Sequence, residues 1–368
     1  MSSPIQHNPR WSVFVPLVGW IFLALYWFMP QMPGIVALLC LGLLGCVVCA
    51  VHHAEVIAHR VGEPFGTLVL ALSVTIIEVA LIVSMMLSGG DTAMALPRDT
   101  IFAATMIILN GIIGCSLLVG GWKHHEQKFH VEGMTDALGT VAVIVVTALV
   151  LPNFVSSTAG GTYLPKQLGF VAITTLALFA AFTFFQTVRH RDYFLPVPVK
   201  TAHGMDVTVE DHAPPPDNRT TWLSLGLLLV SLVAVVLSAK GISPTLEALL
   251  GHWGAPAATL GIVIAAIVLL PEFGAAMRAA HSNRLQSSLN LAIGSAIASI
   301  GLTIPVVALL ALWMGWPLEL GLDGKSTLLL VLSLFVVALS LRTGVTTLQP
   351  GIVHLVLFVL YLFFSFVP

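Results

Sequence analysis

Apolar residues in this chain come in eleven blocks of roughly twenty, the length that carries a helix across a bilayer core. They lie at 11–30, 34–53, 66–88, 100–122, 134–152, 168–188, 220–239, 256–279, 288–314, 326–343 and 350–367. A segment in lipid must satisfy its own backbone groups, and these runs of Leu, Val, Ile and Ala lack the period-two alternation of a barrel strand. A helical bundle follows. The charge content agrees: 9% of residues are charged, against about 25% in soluble domains, too few to cover a water-facing surface. A nucleic-acid partner is excluded at the same step, because it needs a basic face and this chain has net charge -2 with scattered cations. The sequence therefore predicts an all-α polytopic membrane protein of about eleven transmembrane helices, with the lipid bilayer as its surroundings.

The cations orient the bundle. Arg10, Arg60, Lys123, Lys128, Arg189, Arg191, Lys200, Arg219, Arg278, Arg284 and Arg342 fall on the N-terminal side of the membrane, while Arg98, Lys166, Lys240 and Lys325 fall on the other. The positive-inside rule then places the N-terminus in the cytoplasm and the C-terminus outside. The first block is too long for the h-region of a signal peptide and lacks a small-residue cleavage site, so no secretory signal is expected. Trp11, Trp122, Trp222 and Trp316 near span ends read as interface anchors. Cys40, Cys46, Cys49 and Cys115 all lie inside apolar blocks and read as small core residues, since no further metal ligands accompany the Cys46–Cys49 pair.

One long polar stretch, 189–219, interrupts the pattern, with Asp206, Glu210, Asp211 and Asp217 beside Pro214, Pro215 and Pro216. It reads as a cytoplasmic linker. The domains expected are an extra N-terminal helix at 1–33, a first transmembrane repeat at 34–188, the linker, and a second repeat at 220–368. Five spans per half is an odd number, so the halves must be inverted, as in many secondary transporters.

The sharpest feature supports that plan. The second span of each half carries a glutamate in the middle of apolar sequence: Glu78 after Ser73-Val74-Thr75-Ile76-Ile77, and Glu272 after Ile267-Val268-Leu269-Leu270-Pro271. A carboxylate at bilayer depth costs about 2.5 kcal/mol even on insertion scales, so it is retained for a function. No lysine or arginine lies deep in any span to pair with it. Burial raises a carboxyl pKa and a nearby cation lowers it. Two such glutamates facing each other at the midplane would exchange protons for a metal ion. Thr75 lies one turn before Glu78 on the same face, and Ser295 and Ser299 share a face of the third span of the second half. Pro271 and Pro305 lack amides and free the carbonyls of Ile267 and Gly301. Carboxylates, hydroxyls and free carbonyls suit hard cations such as Ca2+ or Na+. Gly111, Gly114, Gly294, Ala296 and Ala298 read mainly as residues that let helices approach closely.

Other polar clusters are weaker. His52, His53, Glu55, His59, Arg60 and Glu63 gather at the cytoplasmic entrance to the third span and form a candidate proton relay or pH sensor, or simply polar residues at a helix end. His124, His125 and His130 sit in another cytoplasmic loop. Asp136 reads as the cap that starts the fifth span. A proton-uncoupled cation channel or uniporter remains a rival, and an intramembrane metalloprotease a remote one, since no HExxH motif is present.

Ala54-Glu55-Val56-Ile57-Ala58-His59-Arg60-Val61-Gly62-Glu63-Pro64-Phe65-Gly66, running on to Glu78, resembles the first alpha repeat of the cation/proton exchangers in the Ca2+/cation antiporter superfamily. The stretch from Pro271-Glu272 through Gly294-Ser295 to Pro305 resembles the second. The likeness covers most of the chain from about residue 50 and is greatest to bacterial calcium/proton antiporters that also accept sodium and potassium. It implies that Glu78 and Glu272 bind ions and protons, in a bacterial inner membrane, with no cofactor and no enzymatic activity. Ser295 falls on the serine of the family's Gly-Ser pair and Ser299 on the polar position that follows. Asn110-Gly111 stands where the first repeat has Gly-Ser, which implies Asn110 as a further ion- or proton-binding residue, and Cys115 stands where it commonly has Asn. Val74-Thr75 replaces the Gly-Asn before Glu78, and Val268 and Leu269 replace polar residues before Glu272. These departures remove oxygen ligands and imply a looser site, open to Na+ or K+ as well as Ca2+.

Overall fold

The computed structural model describes residues 9–62, 65–89, 94–196, 199–200, 206–207, 216–256 and 258–367. They form eleven helices: α1 (Arg10–Phe28), α2 (Ile35–Val61), α3 (Phe65–Gly89), α4 (Leu96–His124), α5 (Val131–Phe154), α6 (Pro165–Arg189), α7 (Asn218–His252), α8 (Ala258–His281), α9 (Leu285–Met314), α10 (Gly324–Ser340) and α11 (Leu348–Phe366). Among the described residues nine of these are long and apolar enough to cross a membrane, and shorter apolar stretches lie at Leu72–Leu87 in α3 and along α10. Extended structure is confined to two-residue strands. Gln127–Lys128 pairs antiparallel with Val345–Thr346, and Val199–Lys200 with Asp206–Val207 in the predicted linker. Residues 197–198, 201–205 and 208–215 of that linker, including His203, Glu210, Asp211 and His212, lie outside the described residues, as does Glu63.

Helix ends depart from the sequence-based spans where polar residues were read as boundaries. Helix α2 runs on to Val61, because nothing breaks it before Gly62, whose φ of 75° suits a residue without a side chain. His52, His53, Glu55, His59 and Arg60 therefore lie in the last turns of α2. Helix α7 continues past Lys240 to His252, with the Ser243 hydroxyl donating to the Glu247 carboxylate one turn on (3.0 Å). Asp136 does not cap α5: the helix begins at Val131, and the Asp136 carbonyl accepts from the Thr140 hydroxyl within it (2.9 Å).

The helices form two compact units that cut across the sequence halves. The first unit holds α1, α2, α3 and α7. Its α1–α2 seam is made by glycine: a Cβ at Gly42 would lie 3.3 Å from the Gly19 Cα, so the two backbones touch there. Helix α7 lies along both. The Trp20 indole donates to the Val230 carbonyl (3.2 Å) and the Tyr26 hydroxyl to the Gly241 carbonyl (3.0 Å). The Arg60 guanidinium donates to the Pro216 carbonyl (3.1 Å) and the Asn218 side chain (2.6 Å), fixing the end of α2 to the start of α7.

The second unit holds α4, α5, α6, α9, α10, α11 and α8 from Gly261 onward. Its centre is α4, whose apolar window is 89% buried. Helix α11 lies in a groove on α4 cut by Gly114 and Gly121, while Gly351 of α11 rests on Leu118 and Gly114 in return. The turn of α4 at Ile107–Ile112 is wide, with π-helical bonding. Side-chain amides tie the ends of the unit. Gln127 donates to the Ala280 carbonyl (3.0 Å), Gln286 accepts from the His130 amide (2.7 Å), and Asn290 donates to the Phe194 carbonyl (2.6 Å). Helix α10 starts on Asp323, whose carboxylate accepts from the Ser326 amide (2.7 Å). Asp323→Ala is expected to cost about 1 kcal/mol, seen as a small fall in the melting temperature of purified protein.

Candidate functional site

The helix faces decide which way the two intramembrane glutamates point. In α3 Leu72 and Ile76 are exposed, whereas Ser73, Thr75, Ile77, Glu78, Leu81 and Ile82 are buried. Glu78 is 2% exposed, so its carboxylate lies on the protein-facing side with Thr75 one turn earlier. The Ser73 hydroxyl is spent on the Val69 carbonyl (2.8 Å). In α8 Leu270 and Phe273 are exposed on either side of Glu272, which is 7% exposed. Both acids thus occupy inward faces, each in the second helix of its half. Pro271, directly before Glu272, lies inside α8 and leaves the Ile267 carbonyl without its helical amide partner.

The third helices differ. In α9 Ser299 is buried and Ser295 half-buried, and a Cβ added at Gly294 would meet nothing within 4 Å. Among the described residues Gly294 therefore makes no close helix contact. Gly111 and Gly114 do serve one, against Phe358 and against His354 with Leu355. Asn110 is fully buried in the wide turn of α4. Its amide nitrogen donates to the Ser333 hydroxyl (2.8 Å), and its amide oxygen lies 3.2 Å from His354 Nδ1. Ser116, two turns on, accepts from the Ser288 hydroxyl of α9 (2.8 Å). Residues Asn110, Glu272, Ser295 and Ser299 belong to the second unit, Glu78 and Thr75 to the first.

Two of the α2 histidines have local partners. His53 Nε2 donates to the Ser12 carbonyl (3.0 Å), and the His52 ring packs on Trp11 (5.0 Å between centroids). They join the start of α1 to α2, while Glu55 and His59 are half-buried further along the same helix. His124 donates to the His281 carbonyl (3.0 Å) and joins the end of α4 to the end of α8. Among the described residues no three His, Cys, Asp or Glu side chains gather as a metal cluster. Sequence reasoning passed over His354 and Ser333, the partners of Asn110, and Ser340, the second partner of His354. The only local signal was a histidine standing alone in the apolar run of α11.

Comparison with known proteins places this architecture. The sequence profile of the family described as "Sodium/calcium exchanger protein" matches residues 32–188 and 223–367. A protein of Sinorhizobium fredii described as an ionic transporter, y4hA, is 43% identical over 100% of both chains. The sodium-potassium/proton antiporter ChaA of Escherichia coli is 34% identical over 95% of this chain and 94% of its own. In three dimensions native YfkE superposes with a TM-score of 0.74 at 15% identity, covering 97% of this chain and 100% of that one, a likeness of fold. Two matched halves of five helices each, flanking an unmatched linker, make the chain a member of the sodium/calcium exchanger protein family, an integral membrane transporter that exchanges inorganic cations and not an enzyme.

Proposed function

We propose that this protein is a proton-coupled antiporter that moves Ca2+, and Na+ or K+, out of the cytoplasm against protons entering from outside, by alternating access. The observation that carries the reading is the pair of buried carboxylates, Glu78 and Glu272, on inward faces of equivalent helices in the two halves. Each is ionised when a cation is bound and protonated when it is not. A cation stabilises the ionised form and burial the neutral one, so proton and metal displace each other without further machinery. Thr75, Ser295 and Ser299 supply hydroxyls, and the Ile267 carbonyl freed by Pro271 supplies an unpaired backbone oxygen. In the residues that precede the acids, Val74, Val268 and Leu269 carry no side-chain oxygen, which favours a permissive site over a Ca2+-selective one. The sodium-potassium/proton relative supports the same breadth. Organised as 1–33, 34–188, 189–219 and 220–368, the chain then sits in the bacterial inner membrane with its N-terminus in the cytoplasm.

The test is made on proteoliposomes carrying a pH gradient, with membrane potential clamped. Ca2+, Na+ and K+ are added one at a time while internal pH is followed. Each transported cation is expected to collapse the gradient in proportion to its flux. Cation entry with the gradient left intact would instead establish a channel or uniporter.

A further inference from the structure

The hydrogen bonds around Asn110 form one directed chain. Ser333 donates its hydroxyl proton to the Leu329 carbonyl (2.7 Å), so towards Asn110 it accepts. The Asn110 amide nitrogen therefore faces Ser333, and its oxygen, which only accepts, faces His354 Nδ1 at 3.2 Å. Nδ1 must then carry the ring proton, and Nε2 accepts from the Ser340 hydroxyl at 3.1 Å. Asn110 and His354 are both 0% exposed. The chain leaves the last residue of α10, crosses α11 and α4, and returns to α10 with each donor spent. Buried polar networks satisfied in this way specify one arrangement of the elements they join.

The position of that network gives it a consequence. Helices α4 and α8 are tied at both ends within the second unit. A Cβ at Gly261 would lie 2.7 Å from the Asp99 carbonyl carbon, and Lys123 donates to the His281 carbonyl at 3.2 Å. The two helices therefore run parallel. Asn110 comes eleven residues after Asp99, and Glu272 eleven after Gly261. At about 1.5 Å per residue both lie about 16 Å from that tie, and counted back from Lys123 and His281 they differ by four residues, so the two lie within about one helical turn of each other in depth. The wide turn Ile107–Ile112 is thus within about a turn of the level of Glu272, and wide π turns are a frequent accompaniment of functional sites.

We propose that His354 is a positioning residue: through the hydrogen bond to Asn110 it fixes the wide turn of α4 near the depth of Glu272, and cation/proton exchange depends on that hold. The proposal rests on the antiport reading for its functional half only. His354 has two bonds of different purpose, and two substitutions separate them. Asparagine reproduces the Nδ1 position and retains a partner for Asn110, whereas glutamine reproduces the Nε2 position and retains a partner for Ser340 alone.

Purified full-length His354→Asn and His354→Gln, each confirmed monodisperse, are compared by hydrogen–deuterium exchange over residues 107–116 and by cation-evoked proton flux. His354→Asn is expected to keep the wild-type protection of this segment and flux within about twofold. His354→Gln is expected to exchange faster there and to lose flux about tenfold or more in the maximal rate, with the half-saturating cation concentration little changed. Equal protection in the two variants, or an unimpaired flux in His354→Gln, overturns the proposal. A wild-type protein without proton-coupled flux would defeat the antiport reading, while the exchange data would still report on the His354–Asn110 hold.

Discussion

Glu78→Gln and Glu272→Gln are each expected to abolish cation-evoked proton movement while leaving the protein inserted and folded. Glutamine matches glutamate in shape and resembles its protonated form, so the buried face of α3 or α8 is kept. A permanently neutral group also avoids the ~2.5 kcal/mol that a carboxylate costs at bilayer depth, so melting temperature should hold or rise. What is lost is the ability to ionise. Leaving a buried charge without its partner costs about 3–5 kcal/mol, which at about 1.4 kcal/mol per decade corresponds to a hundredfold or greater fall in cation occupancy. Because a proton and a cation compete at the same oxygens, one substitution removes both fluxes. The measurement is internal pH in proteoliposomes together with tracer cation uptake. A folded single mutant that still exchanges at the wild-type rate would remove that glutamate from the mechanism, and the buried pair would then need another explanation.

These two acids were visible in the sequence because an ionisable group inside an apolar block has few reasons to exist. The membrane helices were visible for a related reason: lipid demands an unbroken apolar run, and eleven such runs are present. Their ends were not, because α2 and α7 carry on through His52–Arg60 and Lys240–Glu247. A charge marks where lipid stops, and a helix does not have to stop there. The partners of Asn110 were hidden by distance. Ser333 and His354 lie 223 and 244 residues away, and a lone serine or histidine in an apolar helix leaves no local pattern to read. Glycine was ambiguous for the same reason: Gly114 and Gly294 look alike in sequence, yet one is pressed against α11 and the other would meet nothing within 4 Å among the described residues.

That contrast among glycines yields a large stability effect with an internal control. Gly351→Ala should strongly destabilise the second unit. Its Cβ would lie 2.6 Å from the Leu118 amide nitrogen and 2.9 Å from the Gly114 carbonyl oxygen. Those are backbone atoms of a nearly buried helix and have no rotamer into which to retreat, so α11 must move off α4. Overpacking of this kind costs about 1–3 kcal/mol, and Gly351→Leu should exceed that range and cut the yield of folded protein. Gly139→Ala is the control: it too is in a membrane helix, α5, but its Cβ would meet nothing within 4 Å. Replacing a helical glycine there is expected to gain about 0.5–1 kcal/mol. Melting of both variants in detergent distinguishes steric contact from the general effect of glycine on helices. Equal shifts in the same direction would mean that the α4–α11 seam is looser than the atomic positions indicate. Since displacement of α11 also carries His354 away from Asn110, Gly351→Ala should reproduce the faster exchange over residues 107–116 expected of His354→Gln, by a route that leaves every member of the hydrogen-bond chain chemically intact.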